Sequence, residues 1–506
     1  MKIYIFILLA GALGLSGCSD FLDREPISDM SPTTFFSSKG DMRSWNAGIY
    51  NALQLTLNTG HLDWGDLRSD NYESTGYADS NDLFVNGLRS SNKDYCSWQN
   101  IYSCISRCNT AIVEYPKIPQ ILESEYTNYV GQAYGMRALM YFYALRVWGG
   151  VPIVTEPWDG DLSKTQLKRA SVEDVKVQIL SDLESAKYYL TSESDKYYFS
   201  IPAYYALKTD VHMWFKEYSA AFETSNYFIG NKNFALVKSE SEWKQIFMTD
   251  NSSEMIMVVS WDYTANGASG WMQRVGASDT NNGFMMSESI FNTFIDRLRS
   301  GEGTDGRFWN VVDTVKIYYN TNRISLTYAS YKKTSGIEKC TKYSEVDPNR
   351  KFNTGYGVYE SYWGILSSKT DVIRIPVYRL ADILLLRAES LNQLGRGAEA
   401  LGIVNDIRKR VGYNADAIKE VSSSDKLEVE NVILTERQLE FIAEGKRWFD
   451  LVRTDRVIDV MDPIYKERQS TPVGFGDPGR ILFPIHTREF EANSELEQNY
   501  PYTKGN

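Results

Sequence analysis

The stretch YRLADILLLRAESLNQLGRGAEALGIVNDIRKRVG, residues 378–412, constrains the fold more than any other part of the chain. Leu380, Ile383, Leu384, Ala388, Leu391 and Leu394 recur at helical spacing, and Gly395 ends the run. Ala398, Ala400, Leu401, Val404 and Ile407 restart the same period. Two helices joined by a tight turn are therefore predicted. The small residues at Ala388 and near Ala400 suit two backbones that approach closely. Helices of this kind bury one face each against a neighbour, so the chain has to supply further helices to cover them.

It does so twice more. Tyr129–Trp148 reads as one long helix with small residues at Ala133 and Ala138, and Tyr204–Ile229 reads as two helices. The pairs resemble tetratricopeptide repeats, but they lie far apart in sequence. The expectation is a mostly α fold in which tetratricopeptide-like helix pairs form a scaffold carrying inserted aromatic-rich loops and short strands. Three insertions are expected, at Asp70–Tyr95, Trp261–Phe284 and Tyr318–Trp363. Gly, Asn, Ser and Thr surround the aromatic residues there, which marks loops, and loops on a rigid scaffold commonly carry function.

The first residues stand apart. MKIYIFILLAGALGLSGCSD holds one Lys, then an apolar run from Ile3 to Leu15 that is short for a membrane span. Residues 1–17 read as a secretory signal and Leu15-Ser16-Gly17-Cys18 as a lipobox, with Cys18 as the acylated first residue of a mature domain covering 18–506. A formal charge of −11 argues against a nucleic-acid binder. Cys96, Cys104, Cys108 and Cys340 follow no zinc spacing, and the three His are isolated, so neither a metal nor a cofactor is expected. Cys104 and Cys108 are expected on one helix as small buried thiols, beside a core Trp98. Trp448 is likewise assigned to the core.

Catalytic signatures were sought. In LTERQLEFIAEGKRWFDL, residues 434–451, Glu436, Glu440 and Glu444 recur every four residues, which stacks three carboxylates on one helical face. A glycosidase needs two carboxyls flanking a sugar from opposing walls. These three face one way, with Arg437, Lys446, Arg447 and Arg453 close by, so they are expected to be structural. Arg387, Arg408 or Arg410 on a neighbouring helix are the expected partners. GEGTDG, residues 301–306, follows a helix-like stretch rather than a strand, which excludes a dinucleotide-binding turn.

The segments SDFLDREP, WQNIYSCISRCN, QAYGMRALMYFYALRVWGGVPIV, NDIRKRVG, ILTERQLEFIAEGKRWFDLVR, FPIHTREFEAN and QNYPY together resemble the SusD/RagB family of Bacteroidetes surface lipoproteins over nearly the whole mature chain. The Asp305-Gly306-Arg307 run is similar to that family's structural Asp-x-Arg pair. His486 stands where the family has Pro, and Tyr500-Pro501 replaces Pro-Gly, departures expected to touch terminal turns and not the ligand surface. The resemblance implies a non-catalytic protein, lipid-anchored and surface-exposed on the outer membrane. It implies capture of oligosaccharides, or in some members peptides, and their delivery to a SusC-like TonB-dependent transporter partner. Asp20 and Asp23 are similar to surface-export signals.

Sugar rings stack their C–H faces on aromatic planes and hold their hydroxyls with amide or charged groups. The expected ligand-binding residues are therefore Tyr72, Tyr77, Trp261, Tyr263, Trp271, Phe284 and Arg274, with Asn81, Asp82 and Asn266 as further polar partners. The loops at Tyr72–Tyr77 and Trp261–Trp271 are expected to meet across the scaffold. A peptide-binding protein of the same fold, a glycoside hydrolase and a plain protein-binding repeat are the alternatives.

Overall fold

A computed structural model describes residues 35–74, 81–267, 269–275, 283–311, 316–319, 324–327, 359–360 and 372–504. The signal segment, Cys18, Tyr77, Cys340 and most of the third insertion lie outside the described residues.

Helices dominate. In chain order the principal ones are α1 (Lys39–Gly65), α2 (Lys93–Cys96), α3 (Gln99–Glu114), α4 (Glu123–Trp148), α5 (Val172–Tyr189), α6 (Ile201–Trp214), α7 (Tyr218–Ser225), α8 (Gly270–Val275), α9 (Glu288–Arg299), α10 (Leu380–Gln393), α11 (Gly397–Arg410), α12 (Lys426–Glu440) and α13 (Thr487–Ala492). Local chemistry fixes their ends. The Ser38 hydroxyl accepts from the Asp41 N–H at the start of α1, and Ser171 with Asp174 forms a reciprocal capping box on α5. Gly395, at φ +80°, turns the chain between α10 and α11, as its position in the sequence predicts.

The long central helix α4 is apolar on every side. From Val130 to Trp148 only Tyr134 is not buried, and α3, α5 and α6 pack around it. α10, α11 and α12 enclose a second apolar cluster in which Ala388 and Ala400 are both fully buried. Cys104 and Cys108 are buried free thiols on α3, and Trp98 and Trp448 sit in the core, as expected.

Strands are short and join distant parts of the chain. β1 (Tyr72–Ser74) pairs antiparallel with β3 (Phe284–Met286), Tyr72 opposite Met286 and Ser74 opposite Phe284. β2 (Met255–Asp262) pairs antiparallel with β7 (Val372–Arg379), which leads directly into α10. β4 (Lys316–Tyr319), β5 (Ile324–Thr327) and β6 (Tyr359–Glu360) form a small sheet inside the third insertion. The β1–β3 pairing brings the first two insertions together, and α8 packs against both α1 and β3.

The three-glutamate stretch is not one helix. α12 ends at Glu440, Phe441 caps it, and Ala443 and Gly445 take φ of +63° and +65°. Glu444 therefore lies in a turn beyond the helix. The turn is forced by a close backbone approach, since a Cβ on Gly65 at the end of α1 would sit 2.0 Å from the Gly445 carbonyl oxygen.

Candidate functional site

The glutamates form a buried ion-pair cluster. Glu436 pairs with Arg297, Arg307 and Arg408 at 2.9, 2.6 and 2.9 Å. Glu440 pairs with Arg307 and Arg379 at 2.9 and 2.6 Å and with Arg410, and it accepts the Trp243 Nε1–H at 3.1 Å. Glu444 takes Arg379 at 2.8 Å. Asp305 pairs with Arg307 at 2.6 Å. Burial alone would raise the Glu436 and Glu440 carboxyls, yet the surrounding guanidinium charges hold both well below the usual carboxylate range. Both carboxyls are fully buried behind these guanidinium groups. Of the expected partners, Arg408 and Arg410 take part. Arg387 does not: it donates to the Phe222 carbonyl and the Ser225 hydroxyl. Arg437, Arg447, Arg453 and Lys446 serve other acids, Arg437 bonding Asp382 and Asp450, Arg447 bonding Asp70.

The expected aromatic platform needs correction. Tyr72, Trp261, Trp271 and Phe284 do come together around α1, β1 and β3, but all four rings are buried, Trp271 at 0% exposure. Trp261 and Trp271 meet edge to face at 6.1 Å, the Trp261 Nε1–H donates to the Gly267 carbonyl, and Phe284 packs on Phe84. The reason is packing. The first two insertions dock on the scaffold through a short strand or helix, and their described large rings, Tyr72, Trp261, Trp271 and Phe284, seal those junctions instead of facing solvent. Tyr263 alone is half-buried, on the helical turn 263–266 capped by Asp262. The polar candidates are also engaged. Arg274 forms a two-pronged pair with Asp63 at 3.2 and 3.1 Å, Asn81 accepts from the Leu83 N–H, Asp82 accepts from Arg89 and Tyr95, and Asn266 accepts from the Asp262 N–H.

A cleft of about 820 Å³ opens beside this region, between the second half of α1, the α2–α3 junction and α13. Its charged heads are Lys93, Asp94, Arg488, Glu489 and Glu491, with Gln99, Asn100 and Thr59 between them. Lys93, Asp94, Gln99, Asn100, Arg488 and Glu491 are exposed. The Ser97 hydroxyl donates to Glu489 at 3.3 Å, and burial raises that carboxyl. Two cationic and three acidic heads interleave, so the cleft offers donors and acceptors in near balance. That matches a hydroxyl-rich ligand of low charge and is wrong for a polyanion. His486, where the sequence departs from the family, lines this cleft, and its Nδ1 accepts from the Arg488 N–H. Sequence reading missed these residues because it searched aromatic loops. The available signal was the polar Ser97, Gln99 and Asn100 around the start of α3.

The sequence of this chain matches two family models, the SusD family over residues 249–502 and "starch-binding associating with outer membrane" over residues 20–211. A SusD-like protein, P38, of Formosa agariphila is 33% identical, covering 98% of each chain. The chain belongs to the SusD family. A SusD superfamily protein of Bacteroides fragilis superposes with a TM-score of 0.72 at 18% identity, covering 93% of this chain and 100% of that one. A structure described as a laminarin-binding SusD-like protein superposes with a TM-score of 0.68 at 18% identity, covering 92% and 100%. The mostly helical SusD fold is thus shared over more than nine-tenths of the chain. The cleft of this SusD-family chain draws on both matched segments, α1 and the α2–α3 junction from residues 20–211 and α13 from residues 249–502.

Proposed function

We propose that the chain is a non-catalytic, surface-exposed lipoprotein that captures an oligosaccharide in the α1–α3–α13 cleft and passes it to a TonB-dependent transporter of the SusC type. The mixed-charge cleft in a SusD-family scaffold carries this reading. The laminarin-binding structure of the same fold supports a glycan over a peptide, and the ion-paired state of the glutamates supports binding without turnover. Affinity is expected in the micromolar-to-millimolar range, about 4–8 kcal/mol, because hydrogen bonds to sugar hydroxyls replace bonds to water and the ligand has to be ordered. Weak capture suits a protein that releases its cargo.

The test is calorimetry against a panel of neutral glycans, with reducing-sugar release measured in parallel. Binding without release is expected. Asn100→Ala and Arg488→Ala, both at exposed positions, should each weaken binding by about tenfold or more, the worth of one or two hydrogen bonds, with an unchanged melting temperature. Sugar release, or peptide binding with no glycan binding, would overturn the reading.

Anchoring is tested separately. Cys18→Ala should move the protein from the membrane to the soluble fraction, since acyl chains supply the attachment. A mature chain that mass spectrometry shows to begin elsewhere, or to carry an unmodified Cys18, would contradict the proposed anchor.

A further inference from the structure

A second, smaller cavity of about 290 Å³ lies on the same helix as the cleft. Its walls are Tyr50, Tyr197 and Tyr198, its base the edge of β2 at Val258–Ser260, and its polar groups Asn51 and Gln54 of α1. The tyrosines are held in place. Tyr50 Oη accepts the Phe199 N–H at 2.8 Å, Tyr198 stands edge-on to Tyr50 with ring centroids 4.7 Å apart, and Tyr197 Oη bonds Asp250, which is itself paired with Arg374 at 2.7 Å. Tyr198 keeps 38% of its surface exposed. The base offers backbone groups. Arg374, opposite Ser260 in the β2–β7 register, sends its N–H away to the Phe247 carbonyl. Ser260 therefore turns its own backbone groups toward α1, where its carbonyl accepts from Gln54 Nε2 at 2.9 Å. The Asn51 amide is exposed and has no protein partner among the described residues.

The two cavities share one strip of α1. Asn51, Leu55 and Thr59 stand at i, i+4 and i+8, on one helical face and about 12 Å from end to end. Asn51 lines the tyrosine cavity, while Leu55 and Thr59 line the larger cleft. Leu55, between them, is 48% exposed, a large apolar side chain left open in the middle of the strip.

We infer that the ligand is an extended, several-unit glycan lying along this strip, with a neutral sugar at its far end packed on Tyr198 and hydrogen-bonded by Asn51 and Gln54. Resting on the reading of the cleft as a glycan site, this names the kind of glycan. Among the described residues no Asp, Glu, Lys or Arg lines the tyrosine cavity, so the end unit is uncharged. Leu55 supplies the apolar contact for the unit between the two cavities.

The test compares laminari-oligosaccharides of two and six units by calorimetry. The six-unit chain should bind about tenfold more tightly, the worth of one aromatic stacking contact with its accompanying hydrogen bonds. Tyr198→Ala, Asn51→Ala and Leu55→Arg should each cut that advantage to about threefold or less. Asn51 is exposed and has no partner among the described residues, so its variant folds even if Tyr198→Ala does not. Equal affinity for both lengths, or an advantage that survives all three substitutions, overturns the extended strip and leaves the cleft reading standing. A wild-type protein that binds neither laminari-oligosaccharides nor any other neutral glycan overturns both.

Discussion

Glu440→Gln is expected to lower the unfolding free energy by about 3–5 kcal/mol, the cost of removing one partner from a buried ion pair. The carboxylate sits in a charge-balanced cluster. Five guanidinium groups, of Arg297, Arg307, Arg379, Arg408 and Arg410, face five carboxylates, of Glu254, Asp305, Glu436, Glu440 and Glu444. All ten are buried. A neutral amide at 440 leaves one uncompensated positive charge in a region without solvent, and it turns an NH2 group toward guanidinium donors where an oxygen had accepted. The remaining partners limit the damage, because Arg307 keeps Asp305 and Glu436, and Arg379 keeps Glu444 and Glu254. Urea denaturation should therefore show a large shift in midpoint with the slope retained. A loss of unfolding free energy below about 0.5 kcal/mol, within reach of an ordinary surface substitution, would show that the cluster does not bear on stability. Loss of a catalytic turnover at constant stability would reassign it to chemistry.

That cluster also marks where the sequence was legible and where it was not. The helix pair 380–393 and 397–410 was visible because its apolar period is uninterrupted and Gly395 punctuates it. Arg408 and Arg410 were visible as partners because they close the second helix of that pair. Arg297, Arg307 and Arg379 were not, since α9, the segment after it and β7 reach the glutamates only through tertiary packing. The break after Glu440 was hidden for a similar reason. Ala443 has no local preference for positive φ, and the contact between Gly65 and Gly445 that bends the chain spans most of the sequence. The aromatic residues misled in the opposite direction. Gly- and Asn-rich surroundings suggested loops, but β1 and β3 pair between the first two insertions and pull Tyr72 and Phe284 inside. Composition could not show which side of each ring faced water. The polar cleft is assembled from side chains near residues 55–60, 91–101 and 486–492, and no periodicity links three such segments.

Raising the pH from about 6.5 to 8 is expected to destabilise the wild-type protein by about 2 kcal/mol, and Asp66→Asn should abolish most of that slope. Asp66 is fully buried at the end of α1, where its carboxyl accepts from Asn71 Nδ2 at 2.7 Å and from the Gly445 N–H at 3.2 Å. Burial, with Glu444 and Asp450 nearby, raises it from 3.8 to about 8 against those two hydrogen bonds. Arg447 also lies within electrostatic range, but Asp70 holds it at 2.8 Å. An acid raised in the folded state keeps its proton while the unfolded chain has lost one. Stability therefore falls with pH from about 4 to about 8, by about 1.4 kcal/mol per pH unit. His61, one turn earlier on α1, works the other way at lower pH. Burial, then the charges of Lys446 and Arg146, lower it from 6.5 to about 3. The unfolded chain binds a proton there that the folded one refuses, so stability rises with pH between about 3 and 6.5. The two slopes oppose each other from about 4 to 6.5, and above 6.5 Asp66 acts without that opposition. The depressed Glu436 and Glu440 add stability that is present above their ordinary value of 4.5 and lost as the pH falls toward their folded values, which places their effect below this window. Urea midpoints of wild type and Asp66→Asn across pH 6 to 8.5 provide the check. The stability difference between the two proteins should change by about 2.5 kcal/mol over that range, and parallel curves would show that Asp66 ionises in the folded state as it does in the unfolded one.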